Sequence, residues 1–187
     1  LDFCYKNGMY ARYHTLLDTQ TMEEHLIGKQ KEYVLRELQE YVKTSIEFLS
    51  KYNEEHKKNG KGLICSVDLF NEIISFDEPY RNMWQELYGI SNEELVSIFQ
   101  YALENKPDGV TYVYNEPFLE NPERRKVVIE QLSRINELAP GLIDTIGTQM
   151  HIEMTQNIDD IRQCFEDFKR LEQLGIRTQI TEFDMCL

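Results

Sequence analysis

The sequence predicts an α/β fold of the (β/α)8 TIM-barrel type. Three observations predict it. Five short β-rich runs alternate with amphipathic stretches, giving four complete crossovers of roughly 30 to 50 residues, the pattern of a parallel sheet. No GxGxxG or GxxxxGK[ST] follows any strand, which takes most of the weight from nucleotide-binding doubly wound folds. Each strand instead delivers polar side chains at or near its carboxyl end: His14, Asn71 with Glu72, Asn115 with Glu116, Gln149 with His151, and Glu182. Barrel enzymes gather side chains from several strand ends in this way.

The elements follow in order. Residues 1 to 6 read as a helix tail stopped at Asn7-Gly8, where glycine supplies the left-handed residue. A strand is expected from Met9 to about Leu17. Val34, Leu38, Tyr41, Val42, Ile46 and Leu49 then recur at helical spacing between Lys29 and Tyr52. Gly60-Lys61-Gly62 opens the next strand, Leu63-Ile64-Cys65-Ser66-Val67-Asp68-Leu69-Phe70, which ends in Asn71-Glu72. Arg81 to Tyr88 holds the only tryptophan, Trp84, expected in the core beside Met83 and Leu87.

Ser91 and Glu94 form a capping-box pair that starts a helix with Leu95, Ile98, Phe99, Ala102 and Leu103 inside. The strand Val110 to Tyr114 ends in Asn115-Glu116. Asn121-Pro122 starts a helix buried through Val128, Leu132, Ile135 and Leu138, and Pro140-Gly141 closes it. A strand from Leu142 to about Thr148 precedes Gln149 and His151. Asn157 caps a helix with Ile158, Ile161, Phe165, Phe168 and Leu171 inside, and the last strand, Ile176 to Thr181, delivers Glu182 and Asp184.

Composition limits the function classes. At 187 residues and 41% hydrophobic side chains, the chain can bury a core and suits one domain, 1–187. A net charge of -13 argues against nucleic acid and against anionic membrane surfaces. No apolar run approaches the roughly 20 residues of a membrane-spanning helix. Cys4, Cys65, Cys164 and Cys186 lack metal-ligand spacing and read mainly as small buried thiols. The start Leu1-Asp2-Phe3 has no initiator Met and does not look like a natural beginning, so it carries no information about a signal peptide.

Two carboxylates from different strands facing one cavity suit glycosidic bond cleavage, in which one is protonated to donate to the leaving oxygen while the other stays ionised. Glu72 and Glu182 are the natural pair, with Gln149 and His151 as hydrogen-bonding partners. No cofactor is called for. A divalent-metal barrel hydrolase built on His14, His151, Glu72 and Glu182 is an alternative, though no HxH or HExxH spacing supports a metal site.

Several runs resemble family 10 glycoside hydrolases, the xylanases. Asn7-Gly8-Met9-Tyr10-Ala11-Arg12-Tyr13-His14-Thr15-Leu16 is similar to that family's NGM-x-V-R-G-H-T-L strand, and Asp68-Leu69-Phe70-Asn71-Glu72 to D-V-V-N-E. Asn115-Glu116 resembles N-D, Ile146-Gly147-Thr148-Gln149-Met150-His151 resembles I-G-x-Q-S-H, and Ile180-Thr181-Glu182-Phe183-Asp184 resembles I-T-E-L-D. The resemblance implies a retaining double displacement with Glu182 as nucleophile and Glu72 as general acid/base, a pair expected about 5 to 5.5 Å apart. It further implies substrate-binding roles for Asn71, at the sugar 2-hydroxyl, and for His14, Asn115, Gln149 and His151. The implied partner is xylan or a xylo-oligosaccharide, and the implied location is extracellular.

The chain departs from the pattern at Leu17-Asp18-Thr19, where the family carries a Trp and a second His, and at Pro117, where it often has a Tyr. The resemblance covers about strands 3 to 7 of the barrel, so two open sheet edges are expected. Other segments of the same barrel or self-association would cover them. A degenerate barrel section that binds β-1,4-glycan without cutting it stays open as an alternative.

Overall fold

The computed structural model describes residues 1–57 and 59–186. The first helix is α1 (Asp2–Lys6), and Gly8 turns the chain at a φ of 70°. The single strand expected from Met9 to Leu17 is two short ones, β1 (Ala11–Tyr13) and β2 (Leu17–Asp18). The reason is a distant partner: Thr15 Oγ1 and the Leu16 amide both donate to the Asp68 carbonyl, at 3.0 and 2.9 Å, while His14 turns its ring to the Asp68 carboxylate. Helix α2 (Thr19–Leu26) follows, with no apolar stripe to announce it; Asp18 Oδ1 accepts from the Thr21 amide at 2.8 Å and caps it.

Helix α3 (Lys31–Glu55) buries Val34, Leu38, Val42, Ile46 and Leu49, as its spacing requires, with Tyr41 left at the edge of that face. Strand β3 (Ile64–Asn71) pairs with both β1 and β2. After it come α4 (Met83–Tyr88), capped by Asn82, and α5 (Asn92–Ile98), which has the Ser91/Glu94 capping box. The helix expected to run on to Leu103 breaks at Phe99 and resumes as α6 (Gln100–Glu104). Phe99 is fully buried against Phe70, with ring centroids 4.4 Å apart. Trp84 is buried and stacked on Tyr88.

Then follow β4 (Thr111–Glu116), α7 (Pro122–Leu138) and β5 (Thr145–Thr148). Strand β5 begins later than expected. The Asp144 carboxylate, Lys106 and the Tyr112 amide form a knot just ahead of it. The chain closes with β6 (His151–Glu153), α8 (Ile158–Phe168), a 3-10 turn over Lys169–Leu174, β7 (Arg177–Ile180) and β8 (Asp184–Cys186).

The main sheet is all parallel, in the order β1, β3, β4, β5, β7, with β2 continuing the β1 side of β3. Strand order follows chain order without reversal. A doubly wound sheet reverses at its switch point, so this topology is that of a barrel. The register sets Asn71 opposite Asn115, and Asn115 opposite Gly147, in one row at the carboxyl ends. Strands β6 and β8 form a separate parallel ladder beyond that row. Among the described residues β1 and β7 pair on one side only, and Met9, Tyr10 and Ile180 beside them are exposed.

One further sequence expectation is corrected. Only Cys164 is buried, since Cys65 and Cys186 are exposed and Cys4 is half-buried; all four are free. Cys65 is the one exposed residue of β3, near the start of a strand otherwise buried throughout, and the apolar run around it gave no sign of this. His56, just after α3, stacks on Tyr52 with 3.9 Å between ring centroids.

One buried amide ties helix to sheet. Asn53, near the end of α3, donates to the Ile64 carbonyl at 2.8 Å and accepts from the Ile64 amide at 2.7 Å. Gly62 makes room for it, since a Cβ there would stand 2.4 Å from Asn53 Cγ. Asn53→Ala leaves both Ile64 groups without these partners and is expected to cost about 2–4 kcal/mol in a denaturant melt.

Candidate active site

The site is built at the carboxyl end of the sheet, where parallel register stacks the last residues of the strands. Asn71 and Glu72 end β3, Asn115 and Glu116 end β4, Gln149 follows β5, and Glu182 follows β7. Glu72 has a φ of 53°, which turns its side chain off the strand line. The Glu72 amide donates to the Asn115 carbonyl at 3.0 Å and keeps the turn attached to the sheet.

Glu72 is held by two amides: Gln149 Nε2 donates to Oε1 at 2.9 Å and Gln20 Nε2 donates to Oε2 at 2.7 Å. Glu182 is held from three sides. Asn115 Nδ2 donates to Oε1 at 2.8 Å, Arg12 Nη2 lies 3.5 Å from the same oxygen, and His151 Nε2 lies 3.6 Å from Oε2. The other ring nitrogen of His151 pairs with Asp184 Oδ2 at 2.8 Å. Both glutamates keep part of their surface open, while most of the groups that hold them lie deeper.

The structure pairs Glu72 with Gln149 and Glu182 with His151 at the carboxyl ends of the strands. It turns Asn71 and Asn115 inward and leaves His14 exposed. Asn71 is 2% exposed and Asn115 0%; Asn71 bonds Asp18 and Asn115, and Asn115 bonds Asn71, Glu182 and Thr181. His14 bonds Asp68 Oδ2 at 2.6 Å and leaves nearly half its side chain open.

Four residues were not singled out by pattern: Arg12, Asp18, Gln20 and Asp68. Asp68 is fully buried in the middle of β3, its two oxygens taken by Arg12 at 2.9 and 2.6 Å, with His14 on the second. A charged residue inside an apolar strand run requires a buried partner, and that signal was available. Gln20 carried no such signal. Among the described residues no three ligating side chains converge as a metal site needs.

A second buried pair supports the loop that carries Glu72. Glu116 accepts from the Ile73 and Ile74 amides at 2.9 and 3.1 Å and from Arg124 Nη2 at 2.6 Å. Arg124 also donates to the carbonyls of Ser75, Ile74 and Pro117. Burial pushes the Glu116 carboxyl up to about 7, against the pull of Arg124 and the two amides.

A parallel barrel sheet that carries carboxylates from two strands at its carboxyl-terminal rim is a framework that glycoside hydrolases use. The chain belongs to glycosyl hydrolase family 10, whose profile matches residues 1–187. It is 29% identical to endo-1,4-beta-xylanase A of Thermotoga maritima over 100% of this chain and 17% of that protein. It is also 29% identical to a beta-1,4-xylanase of Dictyoglomus thermophilum, over 100% of this chain and 49% of that one. Among solved structures, an intracellular xylanase of Thermoanaerobacterium saccharolyticum superposes with a TM-score of 0.79 at 26% identity, over 100% of this chain and 57% of that one. Native xylanase 10B of Thermotoga maritima gives 0.75 at 26%, over 98% and 53%. The chain thus spans about half or less of the length of these relatives.

Two expected outcomes follow from the packing. A Cβ at Gly147 would stand 2.6 Å from Asn115 Oδ1 and 2.8 Å from Thr181 Cγ2, so Gly147→Ala displaces the amide that holds Glu182 and costs about 1–3 kcal/mol in a denaturant melt. Arg124→Met strands the buried Glu116 and costs about 3–5 kcal/mol at pH 8. Without the guanidinium, folded Glu116 keeps its proton to higher pH than the wild type, while the unfolded carboxyl loses it near the usual glutamate value. The variant therefore goes on losing stability above about 7, where the wild type has levelled, and urea melts at pH 5 and pH 8 should show a larger penalty at pH 8.

Proposed function

We propose that this chain carries the catalytic pair of a retaining glycosidase that cuts internal β-1,4-xylosidic bonds of xylan. The observation that supports it most is the opposite handling of two glutamates at one rim. Glu72 meets only neutral amide donors, whereas Glu182 lies beside a guanidinium, an amide and an imidazole. Arg12, Asn115 and His151 hold the Glu182 carboxylate from three sides, which suits a nucleophile, and Gln149 and Gln20 orient Glu72 as the partner that acts on the leaving oxygen.

In the first step Glu182 attacks the anomeric carbon from below while Glu72 gives its proton to the departing glycosidic oxygen, and the product is a glycosyl ester on Glu182. In the second step Glu72 takes a proton from water, whose oxygen displaces the ester and restores Glu182. His151, steadied by Asp184, orients Glu182, and Gln149 orients Glu72. Substrate class comes from the relatives: a neighbouring structure, xylanase 10B of Thermotoga petrophila, is a complex with xylobiose.

The protein in its full natural length, assayed on xylan and an aryl xylobioside, should lose at least about a thousandfold in kcat in Glu182→Ala. Glu72→Ala should fail on xylan yet retain formation of the glycosyl ester from an aryl glycoside, whose leaving group needs little protonation. Full activity in either variant overturns the assignment. Binding of xylohexaose without hydrolysis by the wild type would favour the glycan-binding alternative.

A further inference from the structure

We propose that Asp18 is a positioning residue that decides, through two buried amides, which end of Asn115 meets Glu182. The inference rests on the reading of Glu182 as nucleophile. It begins with hydrogen-bond polarity. An ionised carboxylate only accepts, while an amide side chain donates at one end and accepts at the other.

Asp18 Oδ1 is occupied by the Thr21 amide and hydroxyl, at 2.8 and 3.1 Å. Its Oδ2 faces Asn71 at 2.7 Å, so Asn71 must present Nδ2 there. The carbonyl end of Asn71 is then aimed at Asn115, which must answer with its own Nδ2, 2.9 Å away. That NH2 has one hydrogen left, and Glu182 Oε1 receives it at 2.8 Å. The carbonyl end of Asn115 is left for the Thr181 hydroxyl, at 2.6 Å. One carboxylate thus orients two amides in series, across the ends of β2, β3 and β4, and delivers a donor to the segment after β7.

The relay has little freedom to reverse. Asp18 is 8%, Asn71 2% and Asn115 0% exposed, so water has little access to mend a mismatched contact. Were Asn115 turned over, its carbonyl would face both the Asn71 carbonyl and the Glu182 carboxylate. Asp18 stands where the family motif has a tryptophan, which lacks an acceptor, so this control belongs to the chain's own residue.

Asp18→Asn tests it with almost no change of shape. The carbonyl end of the new residue keeps the α2 cap, and its NH2 faces Asn71. Asn71 turns over, Asn115 follows, and Glu182 loses its donor. In 15N-edited NMR of the full-length protein, the Asn115 side-chain signal, moved downfield by its carboxylate acceptor in the wild type, should return upfield in Asp18→Asn. On an aryl xylobioside kcat should fall about ten- to a hundredfold with KM little changed, the loss of one hydrogen bond to a charged group. Should Asp18→Asn not fold, Asp18→Ser retains the cap but is too short to reach Asn71, and should give Asn115 two sets of side-chain signals. Asn115 signals unchanged in the folded variant overturn the proposal. A wild type without hydrolytic activity overturns the function reading instead, and leaves the NMR result to decide the relay.

Discussion

The structure depends on keeping four strand ends abreast and on what that alignment does to one side chain. Asn115 sits in the middle of the row, opposite Asn71 on one side and Gly147 on the other. Having no access to water, it must satisfy its amide entirely from neighbouring strands, and it does so with Asn71, Glu182 and Thr181. A slip of one residue in any of these ladders would turn those side chains to the opposite face. Register, which is a property of the backbone, is thereby converted into the position of a carboxylate.

Around that amide the chain sets two charged systems, one partly open and one fully buried. Arg12, Asp68 and His14 lie beside Glu182, and Arg124 with Glu116 lies beneath the loop after Glu72. Each system carries buried charge, which is costly unless paired and hydrogen-bonded. Here the charged oxygens meet multiple donors. What each system yields is geometric: one fixes the end of the sheet that holds Glu182, the other fixes the turn that lifts Glu72 away from its strand.

Much of the fold was legible in the residues. Alternating runs, the Ser91/Glu94 box, Asn121-Pro122 and Asn157 locate elements by local chemistry, and the structure places helices where these caps require. The misreadings fall where a side chain leaves its local pattern for a distant partner. Strand 9–17 divides because residues 14 to 16 turn to Asp68; the helix after Ser91 breaks where Phe99 packs on Phe70; β5 starts late because Asp144 holds Lys106 and Tyr112. Helix α2 was invisible because it has no apolar stripe and depends on Asp18 as its cap.

The sequence by itself determined the class of fold, the strands that end in Glu72 and Glu182, and family membership through ordered motifs, because these are set by local spacing and residue chemistry. Tertiary structure alone decided that Asn71 and Asn115 face inward, that Gln20 reaches Glu72, and that Asp18 stands at the head of a chain of amides ending on Glu182. Those contacts join residues 44 to 67 positions apart on different segments, and hydrogen-bond direction exists only once both ends have been brought within about 3 Å of each other.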